Sequence, residues 1–132
     1  MENRMQESFP NMKRILTGNS FPLSLIRRKV SIEPETLQHF QETLAQSCWE
    51  SYWGHKNTLA AVKQFCGTDL TPKVERPALE LDSNGYPCLY GQTYKECWVI
   101  SPDYEPGFRP ALNIEVDADQ IRSWQVLLIH WE

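Results

Sequence analysis

Residues 47–68 read SCWESYWGHKNTLAAVKQFCGT, and at Gly54 their pattern changes from that of a strand to that of a helix. The first part is short, rich in aromatic residues and bounded by a glycine, which is typical of a strand. The second part, residues 57–66, spaces its large apolar side chains along one face, as an amphipathic helix does. Gly67 then supplies the residue that commonly ends a helix. This segment therefore predicts a strand followed directly by a helix.

Strand and helix patterns alternate on both sides of this segment, giving the predicted order β-β-α-β-α-β-β-β-α-β. A terminal run of apolar residues is expected to form a central strand. This order predicts an α/β (α+β) fold in which a mixed sheet is flanked by helices, in a single domain over residues 14–132 preceded by a flexible arm at residues 1–13. The predicted strands are RILTGNSFPLSLI (interrupted by a turn), RRKVSIE (ending before Pro34), SCWESYWG, ALELD, YPCLYG, KECWVIS and WQVLLIHW. The predicted helices are PETLQHFQETLAQ, NTLAAVKQFC and ADQIRS, and PDYEPGFRP is a predicted loop.

The predicted helix start, GHKNT, is the most chemically suggestive motif. A helix N-terminus attracts phosphates and carboxylates, and Gly54 lets the main chain approach a ligand closely. His55 offers a proton donor that titrates near neutral pH, Lys56 a positive charge, and Asn57 or Thr58 a helix cap. The alternative is that His55 only shapes the turn and Lys56 is solvated. From these residues alone both interpretations stay open.

Composition excludes several classes of protein. The 132 residues suit one compact domain, and a net charge of -4 disfavours duplex nucleic-acid binding despite the basic run at residues 27–29, which we interpret as a solvated strand end. No apolar run is long enough to cross a membrane, and the polar first residues do not resemble a signal peptide, so a cytoplasmic protein is expected. Four cysteines lack metal-ligand spacing, and neither His39 nor His130 has a partner at such spacing. No metal site or cofactor is expected.

Three segments resemble the small viral type III anti-CRISPR ring nucleases and their bacterial host relatives. GNSFPLSLI is similar to the family's first-strand signature at Asn19 and Phe21. YWGHKNTLAAVKQFCGTDL is similar to its Gly-His-x-x-Thr helix start and Cys-Gly-Thr helix end, through Gly54, His55 and Thr58 among others. WQVLLIHW resembles its apolar last strand. Together these segments extend the resemblance from about residue 15 to residue 131.

The resemblance implies a homodimer that binds cyclic tetra-adenylate across its twofold axis and cuts it without metal. In such proteins the ribose 2′-OH attacks the adjacent phosphorus and a histidine, matched here by His55, protonates the departing 5′ oxygen. The expected ligand-binding residues near it are Gly54, Lys56, Asn57 and Thr58. The first loop is expected to contribute three more, Asn19, Ser20 and Phe21.

One loop departs from the family pattern. Where the family has Arg-x-Glu-Glu-Gly, this chain has PDYEPG, so Asp103 replaces the arginine and Pro106 the glutamate. Glu105, one position away, is the candidate second catalytic residue, and Arg109 the candidate replacement for the missing positive charge. Arg76 is the nearest counterpart of a further family arginine.

A second hypothesis is a non-catalytic nucleotide-binding or protein-interaction module of the same fold. The altered loop would then serve another ligand, and Tyr86, Tyr90 and Tyr94 would form an exposed aromatic surface for a partner.

Overall fold

The structure is a computed structural model that describes residues 12–111 and 113–132. Within those residues the chain forms a mixed α+β domain with two α-helices, a five-stranded sheet and a three-stranded sheet. Nearly all of the predicted arm, residues 1–13, lies outside the described residues. The strands are β1 Arg14–Gly18, β2 Val30–Glu35, β3 Cys48–Ser51, β4 Glu80–Leu81, β5 Pro87–Leu89, β6 Gln92–Thr93, β7 Glu96–Tyr104 and β8 Ile121–Trp131; the helices are α1 Leu37–Ala45 and α2 Leu59–Cys66; single 3-10 turns form at Leu23–Leu25, Lys56–Thr58 and Ala118–Gln120.

The five-stranded sheet has the order β2-β8-β7-β1-β3. Strand β1 is parallel to both of its neighbours, β3 and β7, whereas β8 is antiparallel to β7 and β2. The predicted central position of WQVLLIHW is confirmed, because β8 is paired on both sides. The mixed sheet is confirmed as well.

The two faces of this sheet are covered differently. Alternate residues of β1 point to opposite faces, so Ile15 packs against α1 and α2 while Leu16 packs away from them. Both helices lie on the Ile15 face, where Phe40 and Val62 enter the core. The small sheet β4-β5-β6 covers the Leu16 face through Leu89. The predicted packing of helices against the sheet is confirmed, and both helices lie on one face.

The sequence predicts that Pro34 begins a helix, and this prediction is wrong. Pro34 lies within β2, opposite Leu127 of β8, and the helix begins after Thr36, whose hydroxyl accepts a hydrogen bond from the His39 main-chain N–H at 3.0 Å. Strand β2 is at the edge of the sheet. An edge strand tolerates a proline, because on its open side there is no neighbouring strand that needs a main-chain N–H. Pro34 therefore indicates an edge strand and not the first residue of a helix.

The segment predicted to be a loop at residues 102–110 starts as a strand. Strand β7 continues to Tyr104, with Pro102 opposite Trp124 of β8. Pairing between β7 and β1 ends at Val99, so beyond that residue β7 has β8 as its single neighbour and tolerates a proline. The short helix predicted at residues 118–123 is one 3-10 turn, after which Ile121 already belongs to β8.

The predicted hairpin around SNG is confirmed by the antiparallel pairing of β4 and β5. The Asp82 carboxylate organises its turn by accepting hydrogen bonds from the main-chain N–H groups of Asn84 at 2.8 Å and Tyr86 at 2.9 Å. These bonds hold the pKa of Asp82 below its usual value. The turn therefore has the Asx geometry that aspartate favours.

Arg28 is not a solvated strand-end residue. Its guanidinium donates to the main-chain oxygens of Asn84 at 3.1 Å and Glu132 at 2.7 Å, and lies 4.2 Å from the Tyr86 ring centre. It therefore ties the residue that follows β8 to the β4–β5 turn. No helix among residues 12–111 and 113–132 is long and apolar enough to cross a membrane.

Candidate functional site

The carboxyl ends of three parallel strands meet at one edge of the sheet, which is where open α/β sheets commonly bind ligands. Asn19 follows β1 there and Gly54 follows β3. The Asn19 side-chain oxygen accepts a hydrogen bond from the Gly54 N–H at 2.8 Å, and the Ser101 hydroxyl of β7 donates to the Asn19 main-chain oxygen at 3.1 Å. We name Asn19, Gly54, His55 and Ser101 the carboxyl-end site.

His55 has a fixed main chain and an exposed ring. Its main-chain oxygen accepts three hydrogen bonds, from Trp53 Nε1 at 3.1 Å, the Thr58 hydroxyl at 2.8 Å and the Thr58 N–H at 3.0 Å. The imidazole forms no hydrogen bond or ion pair with any residue in the described part of the chain. Such a ring can accept or donate a proton to a bound molecule.

The side chain of Thr58 is occupied within the protein. Thr58 is 1% exposed, and its hydroxyl donates to the His55 oxygen while accepting from Trp53 Nε1 at 3.0 Å. It does not form the predicted side-chain cap of α2. The Asn57 main-chain oxygen accepts from the Val116 N–H at 2.7 Å, which joins the helix start to the segment before β8. Gly67 ends α2 in the left-handed region at φ 78°, as predicted.

Lys56, a predicted phosphate contact, is paired with an acid. Its ammonium lies 2.6 Å from a carboxylate oxygen of Glu75, and both side chains are about two-thirds exposed. The hydrogen bond and charge of Lys56 lower the pKa of Glu75. Arg76 follows at φ 53°, a left-handed position uncommon for arginine. An anion must therefore compete with Glu75 for Lys56.

Phe21 is half-buried and packs against the core on the Leu16 face, whereas Ser20 is exposed. The Phe21 ring contacts the Tyr52 ring at 6.3 Å and the Trp131 ring at 5.1 Å between centroids. Phe21 therefore anchors the end of the first loop to the core, and the Ser20 side chain is exposed beside it.

Glu105 and Arg109 follow β7 and are exposed. No hydrogen bond or ion pair joins either side chain to His55, all three residues being described. The Glu105 N–H donates to the Gln120 oxygen at 3.0 Å, and Phe108 of the loop packs against a cluster that contains Ala61 of α2 and Val116. The loop is thus a fixed wall beside the helix, with its charged groups directed to solvent.

Two residues that support the site were not singled out from the sequence. Ser101 was read only as the end of a strand, although its hydroxyl bonds to Asn19. Tyr52 lies across Gly18, and its hydroxyl is 3.0 Å from Cys97 Sγ. Burial, and then the neighbouring thiol, raise the pKa of Tyr52 well above its ordinary value. An alternating strand pattern gave no indication of either role.

Among residues 12–111 and 113–132, no group of three or more histidine, cysteine, aspartate or glutamate side chains is arranged to hold a metal ion. The four cysteines are all free thiols. No protein-family model matches the chain, and no curated protein is significantly similar to it.

Proposed function

We propose that this protein binds a cyclic oligoadenylate at the carboxyl-end site and cleaves it without a metal ion, with His55 as the general acid. One observation carries the proposal: the main chain of His55 is held by three hydrogen bonds, while its imidazole is exposed and has no partner among the described residues. A fixed main chain and an available ring are what a positioned proton donor requires.

In the proposed step a ribose 2′-OH of the ligand attacks the adjacent phosphorus. The bond from phosphorus to the 5′ oxygen breaks, and protonated His55 gives its proton to that departing oxygen. The products are a 2′,3′-cyclic phosphate and a 5′-hydroxyl. The proton lost by the 2′-OH passes to solvent.

A cyclic ligand with repeated phosphates suits a twofold assembly. Two copies of the chain would present two His55 rings and two strand-to-helix turns across one axis, and a homodimer has that symmetry. Gly54 allows close approach of a phosphate, because even an added Cβ there would meet nothing nearer than Asn19 Oδ1 at 3.7 Å. Ser20 and Lys56 are the exposed polar side chains beside it.

The test is to incubate the full chain with cyclic tetra-adenylate in the presence of EDTA and follow linear products. We expect His55→Ala to lower the rate by about 100-fold or more, the usual contribution of a general acid. His130→Ala is the matched control, because His130 is exposed at the other end of the molecule, on β8. Equal rates for wild type and His55→Ala would contradict the catalytic role.

A second candidate function is nucleotide binding without cleavage. It is favoured by the pairing of Lys56 with Glu75 and by the fact that, among the described residues, no hydrogen bond or ion pair joins the His55 ring to Glu105. Calorimetry with cyclic tetra-adenylate separates the two candidates. Saturable binding without linear products would establish the second, and no binding would exclude both.

A further inference from the structure

The opposite end of strands β1 and β3 forms a cleft of about 220 Å³. Its walls come from the first residue of β1, the beginning of β3, the segment after α2, and the β5–β6 hairpin. We name this the amino-end cleft and define it by Arg14, Trp49, Glu50, Lys73, Tyr90 and Gln92. None of these residues belongs to the carboxyl-end site.

The charges in this cleft leave one positive group without an acidic partner. Lys73 Nζ lies 2.6 Å from a Glu50 carboxylate oxygen, so these two charges offset each other. The Arg14 guanidinium donates to the neutral side-chain oxygen of Gln92 and has no carboxylate partner among the described residues. An arginine fork in this state is suited to a carboxylate or a phosphate.

Tyr90, at the cleft, has a main-chain conformation that is unfavourable for tyrosine. The two-residue turn between β5 and β6 is formed by Tyr90 at φ 52° and Gly91 at φ 76°, the geometry of a type I′ turn. Asparagine, aspartate and glycine prefer the first position, whereas a tyrosine there is strained. Its ring is nevertheless 40% exposed and lines the cleft, with Lys73 Nζ 5.8 Å from the ring centre. Strained residues cluster at ligand-binding sites, so Tyr90 is a candidate ligand contact.

A further aromatic group, Tyr94, completes the wall. It is 3% exposed, which corrects its predicted place in an exposed aromatic surface, and burial followed by the charge of Glu50 raises its pKa to about 12. Tyr94 therefore contributes a buried aromatic side chain to the cleft wall.

We propose that the amino-end cleft binds a small planar anion, an aromatic or heterocyclic ring that carries one carboxylate or phosphate group. Arg14 binds the anionic group and the Tyr90 ring stacks on the ligand ring. The size is suitable, because a cavity of roughly 150 Å³ accommodates benzene. Binding here does not depend on the function proposed for the carboxyl-end site.

The test is a titration of the ¹⁵N-labelled full chain followed by NMR, with four probes: phenyl phosphate, benzoate, phenol and inorganic phosphate. We expect one of the two ring anions to bind saturably and to shift the Gly91 amide and the Trp49 indole resonances. The tighter of the two identifies phosphate or carboxylate. Phenol and inorganic phosphate are each expected to bind at least about tenfold more weakly, since each lacks one recognition element. Shifts of the Gly54 amide alone would report the other site and overturn the proposal.

Two variants assign the roles within the cleft. Arg14→Gln is expected to weaken binding about tenfold, whereas Arg122→Gln, an exposed arginine of β8, leaves it unchanged. Tyr90→Asn is expected to raise the melting temperature by about 3 °C, because asparagine tolerates the left-handed position, and to weaken binding. Equal binding by the two arginine variants, wild-type binding by Tyr90→Asn, or no saturable binding of either ring anion would overturn the proposal.

Discussion

At the carboxyl end of strands β1 and β3, polar side chains are bonded mainly to the main chain, whereas at the amino end they are bonded mainly to one another. Asn19 accepts a hydrogen bond from the Gly54 N–H, and the Thr58 hydroxyl donates one to the His55 main-chain oxygen. Glu50 and Lys73, by contrast, form a side-chain ion pair in an open cleft. The hydrogen bonds at the carboxyl end position the exposed His55 ring, whereas the side chains at the amino end line an open cleft. The role of a polar residue thus follows from its partner and not from its type.

The largest effect is expected at the carboxyl end, from Gly18→Ala. A Cβ at Gly18 would lie 2.5 Å from atoms of the Tyr52 ring, which is held by Phe21 and by Cys97. Because neither the ring nor the strand can move freely, we expect a loss of about 2 to 3 kcal/mol in the free energy of unfolding. Urea denaturation followed by circular dichroism measures it.

The matched control is Gly54→Ala, at the end of the neighbouring strand. An added Cβ there is 3.7 Å from its nearest neighbour, an ordinary contact, so stability should change by about 0.5 kcal/mol or less. In a Tyr52→Ala background the cost of Gly18→Ala should largely disappear. If the cost persists there, the Tyr52 ring is not what excludes a side chain at Gly18.

The sequence predicted much of this architecture because its signals were local. The strand-to-helix unit at residues 47–68, the hairpin at Asp82 and the left-handed Gly67 all follow from short patterns, and all are present. Pro34 was misread because an edge strand tolerates a proline, and strand order is not a local property. The covering of one face by β4-β5-β6 likewise depends on long-range packing.

The candidate site was less accessible to prediction. His55 and Gly54 could be singled out as the start of a helix, but Asn19 accepts its hydrogen bonds from Gly54 and Ser101, which are 35 and 82 positions away in the sequence. Likewise the hydrogen-bonded ion pair between Lys56 and Glu75 depends on a loop whose sequence has no helical or strand periodicity. The amino-end cleft gave no motif, since its walls come from four separate segments.

The two ends should also respond differently to alkaline pH. Burial raises the pKa of Cys97, bonded to Tyr52 beneath the carboxyl-end site, from 9.0 to about 12. Between these values the unfolded chain binds fewer protons than the folded one, so stability is full below pH 9 and falls as pH rises, by about 1.4 kcal/mol per pH unit for this group. Burial likewise raises the pKa of Tyr94, at the amino-end cleft, from 10.0 to about 12.

Urea unfolding between pH 8 and 11 separates these two contributions. Cys97→Ser retains a partner for Tyr52 and should make the decline shallower from about pH 9, whereas Tyr94→Phe should make it shallower only from about pH 10. Parallel curves for wild type and both variants would show that neither buried group changes its protonation behaviour on folding.

The smallest effect, and the one that best separates positioning from ligand contact, is expected at Asn19. Asn19→Ala removes the acceptor of the Gly54 N–H, which is exposed enough to bond to water instead, so a loss of about 1 kcal/mol is expected by urea unfolding. Ser20→Ala, on the exposed neighbour, is the control.

Asn19→Asp keeps an oxygen for Gly54 but adds a negative charge beside any bound phosphate. If Asn19 only positions the turn, Asn19→Asp retains the wild-type stability and Gly54 amide shift, and ligand affinity falls only through charge repulsion, which added salt should screen. If its side-chain N–H₂ contacts the ligand, affinity stays low at every salt concentration, because a carboxylate cannot donate that hydrogen bond.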